Sequence, residues 1–151
     1  LDGSGNERAV KIYKTGTLEF KRRDRYVDGD FRFKYRKINP RKLVRLWAEK
    51  EFRNLQRLYE AGVPVPKPIA WRRNVLVMEF IGGDGLPAPR LKDVEPEEEE
   101  EDELYDDILE EMRKLYKEGE LVHGDLSEYN ILVHDGKVVI IDVSQSVELD
   151  H

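Results

Sequence analysis

The run His123-Gly-Asp-Leu-Ser-Glu-Tyr-Asn130, with Asp142 twelve residues after it, constrains this chain more than any other stretch. Leu121 and Val122 read as a strand that delivers Asp125 into a loop, and Ile131-Leu-Val133 reads as the strand that leaves it. His134-Asp-Gly-Lys137 is a tight-turn signal, because Asp-Gly supplies the positive φ that a hairpin needs. The chain then returns along Val138-Val-Ile-Ile141 and presents Asp142. One hairpin therefore collects Asp125, Asn130 and Asp142 at one end. Taken singly, each is an ordinary turn former or strand-end cap. Taken together they are a proton-accepting carboxylate beside an amide oxygen and a second carboxylate, the set that phosphoryl transfer from Mg²⁺-ATP requires.

The protein-kinase signature H-R-D-L-x-x-x-N, followed by D-F-G, is met at His123, Asp125, Leu126, Asn130 and Asp142. Gly replaces its Arg, and Val-Ser replaces its Phe-Gly. Composition removes several other chemistries. The 151 residues hold no cysteine, which excludes disulfides and thiol catalysis, and the three histidines lack zinc spacing. No apolar run is long enough to span a membrane and no signal-peptide pattern opens the chain. The expectation is a soluble, cytoplasmic protein.

The net charge of −6 conceals two opposed segments. From Lys14 to Arg45 there are twelve basic residues against four acidic, whereas Asp93 to Glu111 carries thirteen acidic residues and no basic one. Aromatic residues, among them Phe20, Tyr26 and Phe33, interleave the basic segment. That pattern suits an anionic surface as partner, although base stacking is less expected than a charged loop with an aromatic anchor. Residues 15–38 lack periodicity and read as a long flexible loop.

Arg8 to Tyr13 alternates as a strand that places Lys11 on the face opposite Val10 and Ile12. Asn39-Pro40 is a helix start and Gly62 a stop, so a helix is expected over 40–61. Val44, Trp47, Ala48, Leu55 and Leu58 fall within about 60° of one line at 100° per residue, and Glu51 lies in the middle of it. Glu49 lies on the polar face. A carboxylate centred on an apolar stripe is costly unless a cation meets it, and Lys11 is the partner assigned to Glu51. The alternative is an arginine or a backbone group elsewhere in the core. Strands follow at Ile69–Trp71 and Val75–Met78. Glu79-Phe-Ile-Gly-Gly83 then reads as a hinge whose Glu79 carbonyl and Ile81 amide suit an adenine edge. A second helix from about Glu97, with Leu104, Ile108, Met112 and Leu115 as its core stripe, is expected to stop at Gly119.

Ala9-Val-Lys11-Ile-Tyr-Lys, Trp47-Ala-Glu-Lys-Glu51, Met78-Glu-Phe-Ile-Gly, Asp125-Leu-Ser-Glu-Tyr-Asn130 and Ile141-Asp-Val-Ser-Gln-Ser together resemble the RIO atypical protein kinases, above all their first subfamily. The resemblance implies an α+β, protein-kinase-like two-lobed fold: an N-lobe antiparallel sheet with its αC-type helix over 1–81, and a partial C-lobe over 82–151. It implies ATP and Mg²⁺ or Mn²⁺ as cofactors, Lys11 on phosphate with Glu51 holding it, Asp125 as catalytic base, and Asn130 and Asp142 on the metal. It further implies that Asp142 can itself be phosphorylated, that turnover includes ATP hydrolysis, and that the protein acts in maturation of the small ribosomal subunit. The basic segment 14–45 would then meet rRNA or the pre-ribosome.

Two departures qualify the likeness. No glycine-rich phosphate loop precedes Lys11 within the chain, and the C-lobe helices beyond Asp142 are not included, so a partial kinase domain is expected. Ser127 stands where ordinary protein kinases carry a lysine that neutralises the transferring phosphate, which implies slow turnover. Two other classes also match parts of the pattern. A small-molecule kinase of the aminoglycoside-phosphotransferase type shares His-Gly-Asp and the Asn five residues later. A non-catalytic nucleotide- or RNA-binding scaffold would suit the basic segment.

The helical phase generates a direct prediction. Glu51→Gln should impair ATP-dependent activity far more than Glu49→Gln, and equal losses in a turnover assay would refute the assignment.

Overall fold

The computed structural model describes residues 1–15 and 39–149. The long loop expected over 15–38 therefore lies almost wholly outside the described residues. The N-terminal part is a three-stranded antiparallel sheet, β1 (Arg8–Ile12), β2 (Pro68–Arg72) and β3 (Val75–Glu79), in the order β1-β3-β2. In its register Lys11 lies opposite Leu76, and Ile12 opposite Val75. Lys11 and Tyr13 thus face inward, while Val10 and Ile12 are 57% and 60% exposed.

Helix α1 (Pro40–Glu60) packs against β2 and β3. Asn39 caps it: the side chain accepts from the Arg41 amide, and Pro40 occupies the first turn, where no amide donor is needed. The helix ends where Gly62 takes φ +78°, a left-handed conformation that glycine adopts without steric cost. Its buried face contains the expected stripe and Glu51, and adds Leu43 and Asn54.

A short hairpin, β4 (Gly82–Gly83) with β5 (Leu86–Pro87), follows the sheet. Gly82 has no room for a side chain there, since a Cβ would lie 2.2 Å from the Leu86 carbonyl oxygen. Beyond a single 3₁₀ turn at Leu91–Asp93, helix α2 (Glu98–Lys117) opens with a reciprocal cap in which Glu97 and Glu100 each accept from the other's backbone amide. Four acidic residues in its first turn complement the positive end of the helix dipole.

The core stripe of α2 differs from expectation at one position. Met112 is 44% exposed, and Glu111, at 6%, occupies the buried line with Leu104, Ile108 and Leu115. Lys114, one turn on, reaches its carboxylate at 2.9 Å and offsets part of the burial penalty. Gly119 also has a different reason from the one its position suggests. Its Cβ would meet Leu58 Cδ2 at 2.6 Å, so glycine permits close approach of the two helices, while the left-handed residue is Glu120 at φ 50°.

The remaining chain forms two ribbons. Strand β6 (Leu121–Val122) pairs with β9 (Val147–Glu148), and β7 (Ile131–His134) pairs with β8 (Lys137–Ile140). Asp135 and Gly136 both take positive φ, as a two-residue hairpin turn of the mirror-image type requires. Leu55 and Leu58 of α1 share one buried cluster with Leu76 of β3, Leu115 of α2, and Leu121, Ile140 and Val143. One apolar core thus runs through both parts of the chain.

Leu58→Ala removes a fully buried side chain from that core and should cost about 2–5 kcal/mol. Ile12→Ala should stay within about 0.5 kcal/mol of wild type. Urea unfolding of both variants checks the contrast; comparable losses would contradict the outward placement of Ile12 on β1.

Candidate active site

Five elements converge on one cleft. Strand β1 brings Ala9 and Lys11, α1 brings Glu51 and Leu55, and β3 with its exit brings Met78, Glu79, Phe80 and Ile81. The hairpin brings Asn130, Leu132, Ile141 and Asp142, so that the cleft encloses about 450 Å³. Its walls are mainly apolar, Ala9, Met78, Ile81, Leu132 and Ile141 among them, and they also carry the charged Lys11, Glu51 and Asp142. Such a lining suits a flat apolar ring carrying a polyanionic tail.

Lys11, Glu51 and Asp142 form an ion triad in this cleft. Lys11 Nζ lies 2.9 Å from Glu51 Oε1, 2.8 Å from Glu51 Oε2 and 3.0 Å from Asp142 Oδ1. It also sits 5.2 Å from the centroid of the Tyr13 ring. Glu51 is 1% exposed, whereas Glu49 is half-buried and pairs one turn along with Arg53. Burial raises the Glu51 carboxyl from 4.5 to about 6 against the pull of the Lys11 ammonium, and the Asp142 charge adds to the rise. Desolvation therefore outweighs pairing at this carboxylate.

Asp125 and Asn130 are joined directly: the Asn130 side-chain amide donates to the Asp125 carbonyl at 2.6 Å. That bond commits Nδ2, so that Oδ1 is the oxygen donor atom of the side chain. Asp125 itself is exposed, with its carbonyl tied to Asn130 and its amide donating to His123 Nδ1 at 3.2 Å. His123 Nδ1 is thereby an acceptor, so Nε2 carries the proton and faces the Ile141 carbonyl at 3.3 Å. Burial lowers the His123 pKa and keeps the ring neutral.

Asp142 has a left-handed backbone, φ 55°, at the end of β8. Its carboxylate also accepts from Ser144 Oγ at 2.8 Å. Among the described residues no group of three or more His, Asp or Glu side chains could hold a metal. Asn130 and Asp142 are nonetheless hard oxygen donors on one side of the cleft, which fits a Mg²⁺ ion that takes its remaining oxygens from nucleotide phosphates and water.

Glu79 and Ile81 line the cleft, each half-buried. The Glu79 carboxylate accepts from the Lys67 amide at 3.0 Å, and the Ile81 carbonyl accepts from Ala88 at 2.9 Å, which fixes the strand exit. Sequence reasoning passed over Asn54, which is buried and donates to the Val143 carbonyl at 2.9 Å. Its signal was its place three residues after Glu51 on the same stripe. Arg90 and Tyr129 at the cleft mouth, 5.9 Å apart from guanidinium to ring centroid, carried no periodic signal.

Comparison with known proteins agrees with this geometry. The RIO domain family matches residues 1–151. The chain is 57% identical over 151 residues to the serine/threonine-protein kinase RIO1 of Caenorhabditis elegans, covering 99% of this chain and 30% of that protein. It is 55% identical over 147 residues to human serine/threonine-protein kinase RIO3, covering 96% of this chain and 28% of that one. The chain thus spans less than a third of the length of these relatives. Among solved structures, Rio2 kinase from Chaetomium thermophilum superposes with a TM-score of 0.74 at 31% identity, over 99% of this chain and 45% of that one. The ADP/Mg²⁺-phosphoaspartate complex of the same kinase gives 0.70 at 30% identity, over 99% of this chain and 44% of that one. With its α+β, protein-kinase-like fold and this match along its whole length, the chain belongs to the RIO family.

Proposed function

We propose that this chain forms the nucleotide and metal site of an ATP- and Mg²⁺-dependent atypical serine/threonine protein kinase with ATPase activity. The observation that carries the reading is the Lys11 ammonium, held between Glu51 and Asp142 in a cleft whose walls are otherwise mainly apolar. Lys11 binds the phosphates of ATP and Glu51 keeps it there. The adenine ring lies between the apolar walls, its edge on the backbone of Glu79 and Ile81. Asn130 and Asp142 hold Mg²⁺ or Mn²⁺, which supplies charge neutralisation across the phosphates when bound. Asp125 accepts the proton of the attacking hydroxyl or water. The match to the RIO domain favours this reading over an aminoglycoside-type phosphotransferase or a non-catalytic scaffold.

Autophosphorylation belongs to the same proposal. A carboxylate oxygen of Asp142 bonds to the γ-phosphorus as the bond to the departing ADP oxygen breaks, and water then releases orthophosphate. The phosphoaspartate in the Rio2 complex supports that route. We further assign the protein to maturation of the small ribosomal subunit in the cytoplasm, with rRNA or a pre-ribosomal particle met through the basic segment 14–45. Twelve basic residues in that segment support an anionic partner.

Calorimetry on the full-length protein tests the site. Wild type should bind ATP in a Mg²⁺-dependent manner, and Asp142→Asn should lose that dependence. Asp125→Asn should keep ATP binding while turnover falls by at least about 100-fold. Full turnover in Asp125→Asn would remove the catalytic assignment.

Glu51 sets a pH dependence whose sign is fixed by its raised pKa. It holds its proton more tightly folded than unfolded, so its contribution to stability is full below pH 4.5 and is lost as pH rises to about 6. The loss is about 2 kcal/mol. Urea unfolding between about pH 4 and pH 7 should show wild type losing that much more stability than Glu51→Gln. Parallel curves would contradict it.

A further inference from the structure

Asp142 is bracketed on both sides by bonds that the phosphoryl-transfer roles do not require. Before it, the Ile141 amide donates to the Asn130 carbonyl at 2.9 Å, and the Ile141 carbonyl faces His123 Nε2. After it, the Val143 carbonyl accepts from Asn54 Nδ2 at 2.9 Å and from the Ser146 amide at 3.1 Å. Asn54, which makes the Val143 bond, lies three residues after Glu51 on α1. Both are at most 5% exposed, as is Ser144, whose hydroxyl donates to Asp142 Oδ1.

The chemistry of the arrangement follows from the backbone. A non-glycine residue at φ 55° is held against a steric preference of about 1 kcal/mol, so its conformation must be fixed by its neighbours. Asn54 fixes the residue after it from the helix side. Ser144 then limits rotation of the carboxylate itself, because a hydroxyl donor on Oδ1 sets the plane in which the group presents its oxygens. We propose that Asn54 and Ser144 are positioning residues for Asp142, Asn54 through the Val143 backbone and Ser144 through the carboxylate, and that together they set metal affinity at the cleft. The proposal rests on the reading of Asp142 as a metal ligand.

Partners of a metal ligand typically contribute about 10–100-fold to metal affinity. In the full-length protein, Asn54→Leu, which keeps the volume but loses the donor, and Ser144→Ala should each raise the Mg²⁺ concentration for half-maximal ATP binding about tenfold. ATP binding measured without Mg²⁺ should stay within about twofold of wild type, since Lys11 and Glu51 are untouched. Ser144→Thr retains the hydroxyl and should restore the wild-type Mg²⁺ requirement. A purely structural role would instead weaken ATP binding equally with and without Mg²⁺, and that outcome overturns the proposal. So does an unchanged Mg²⁺ requirement in both variants. Failure of wild type itself to respond to Mg²⁺ would instead bring down the kinase reading, which separates the two.

Discussion

Everything at the cleft depends on one buried carboxylate. Glu51 sits at 1% exposure in the apolar stripe of α1, where an unpaired charge would cost several kcal/mol, and its partner Lys11 comes from a strand forty residues earlier. Lys11 also reaches Asp142, 131 residues away. The triad thus fastens the sheet, the helix and the loop after β8 to one ammonium group. Desolvation still exceeds the attraction at Glu51, which is why its carboxyl rises to about 6. The ionised form that holds Lys11 is the less stable form of the fold, and the apolar cluster of Leu55, Leu58, Leu76 and Leu121 offsets it.

Helix α1 carries both halves of that arrangement. Its upper turns pack Leu43, Val44, Trp47 and Ala48 against Tyr13, the residue that follows β1. The next turns bring Glu51 to Lys11 and Asn54 to Val143, and the last buried turn puts Leu58 against Gly119. A shift of the helix by one turn would break the Glu51–Lys11 pair and the Asn54–Val143 bond together. Placement of a single helix therefore governs both ends of the charged site.

Features set by local periodicity were legible in the sequence. Helical phase separated Glu51 from Glu49, alternation turned Lys11 inward, and Asp-Gly located the hairpin between β7 and β8. The capping of α1 by Asn39 was equally local. What escaped depends on partners remote in sequence. Asn54 is an indifferent helix residue until Val143 arrives beside it, 89 positions on. The exchange of Met112 for Glu111 on the buried line of α2 was hidden because adjacent residues differ by only about 100° in phase and Lys114 compensates the charge. The strands β4, β5 and β9 have two residues each, too short for alternation to register, and went unforeseen, whereas Leu121–Val122 was read as a strand only as the run leading into the Asp125 loop. Gly119 read as a helix stop, although the space it leaves for Leu58 is a tertiary requirement.

A double-mutant cycle on Lys11 and Glu51 tests the triad most directly, with Mg²⁺-ATP affinity of the full-length protein as the readout. If Glu51 acts by holding Lys11, then Lys11→Met, Glu51→Gln and the double variant lose affinity to nearly the same extent, with a coupling free energy of at least about 1 kcal/mol. Additive losses would mean that the two side chains serve ATP independently, and the account of the cleft as one ion triad would be wrong.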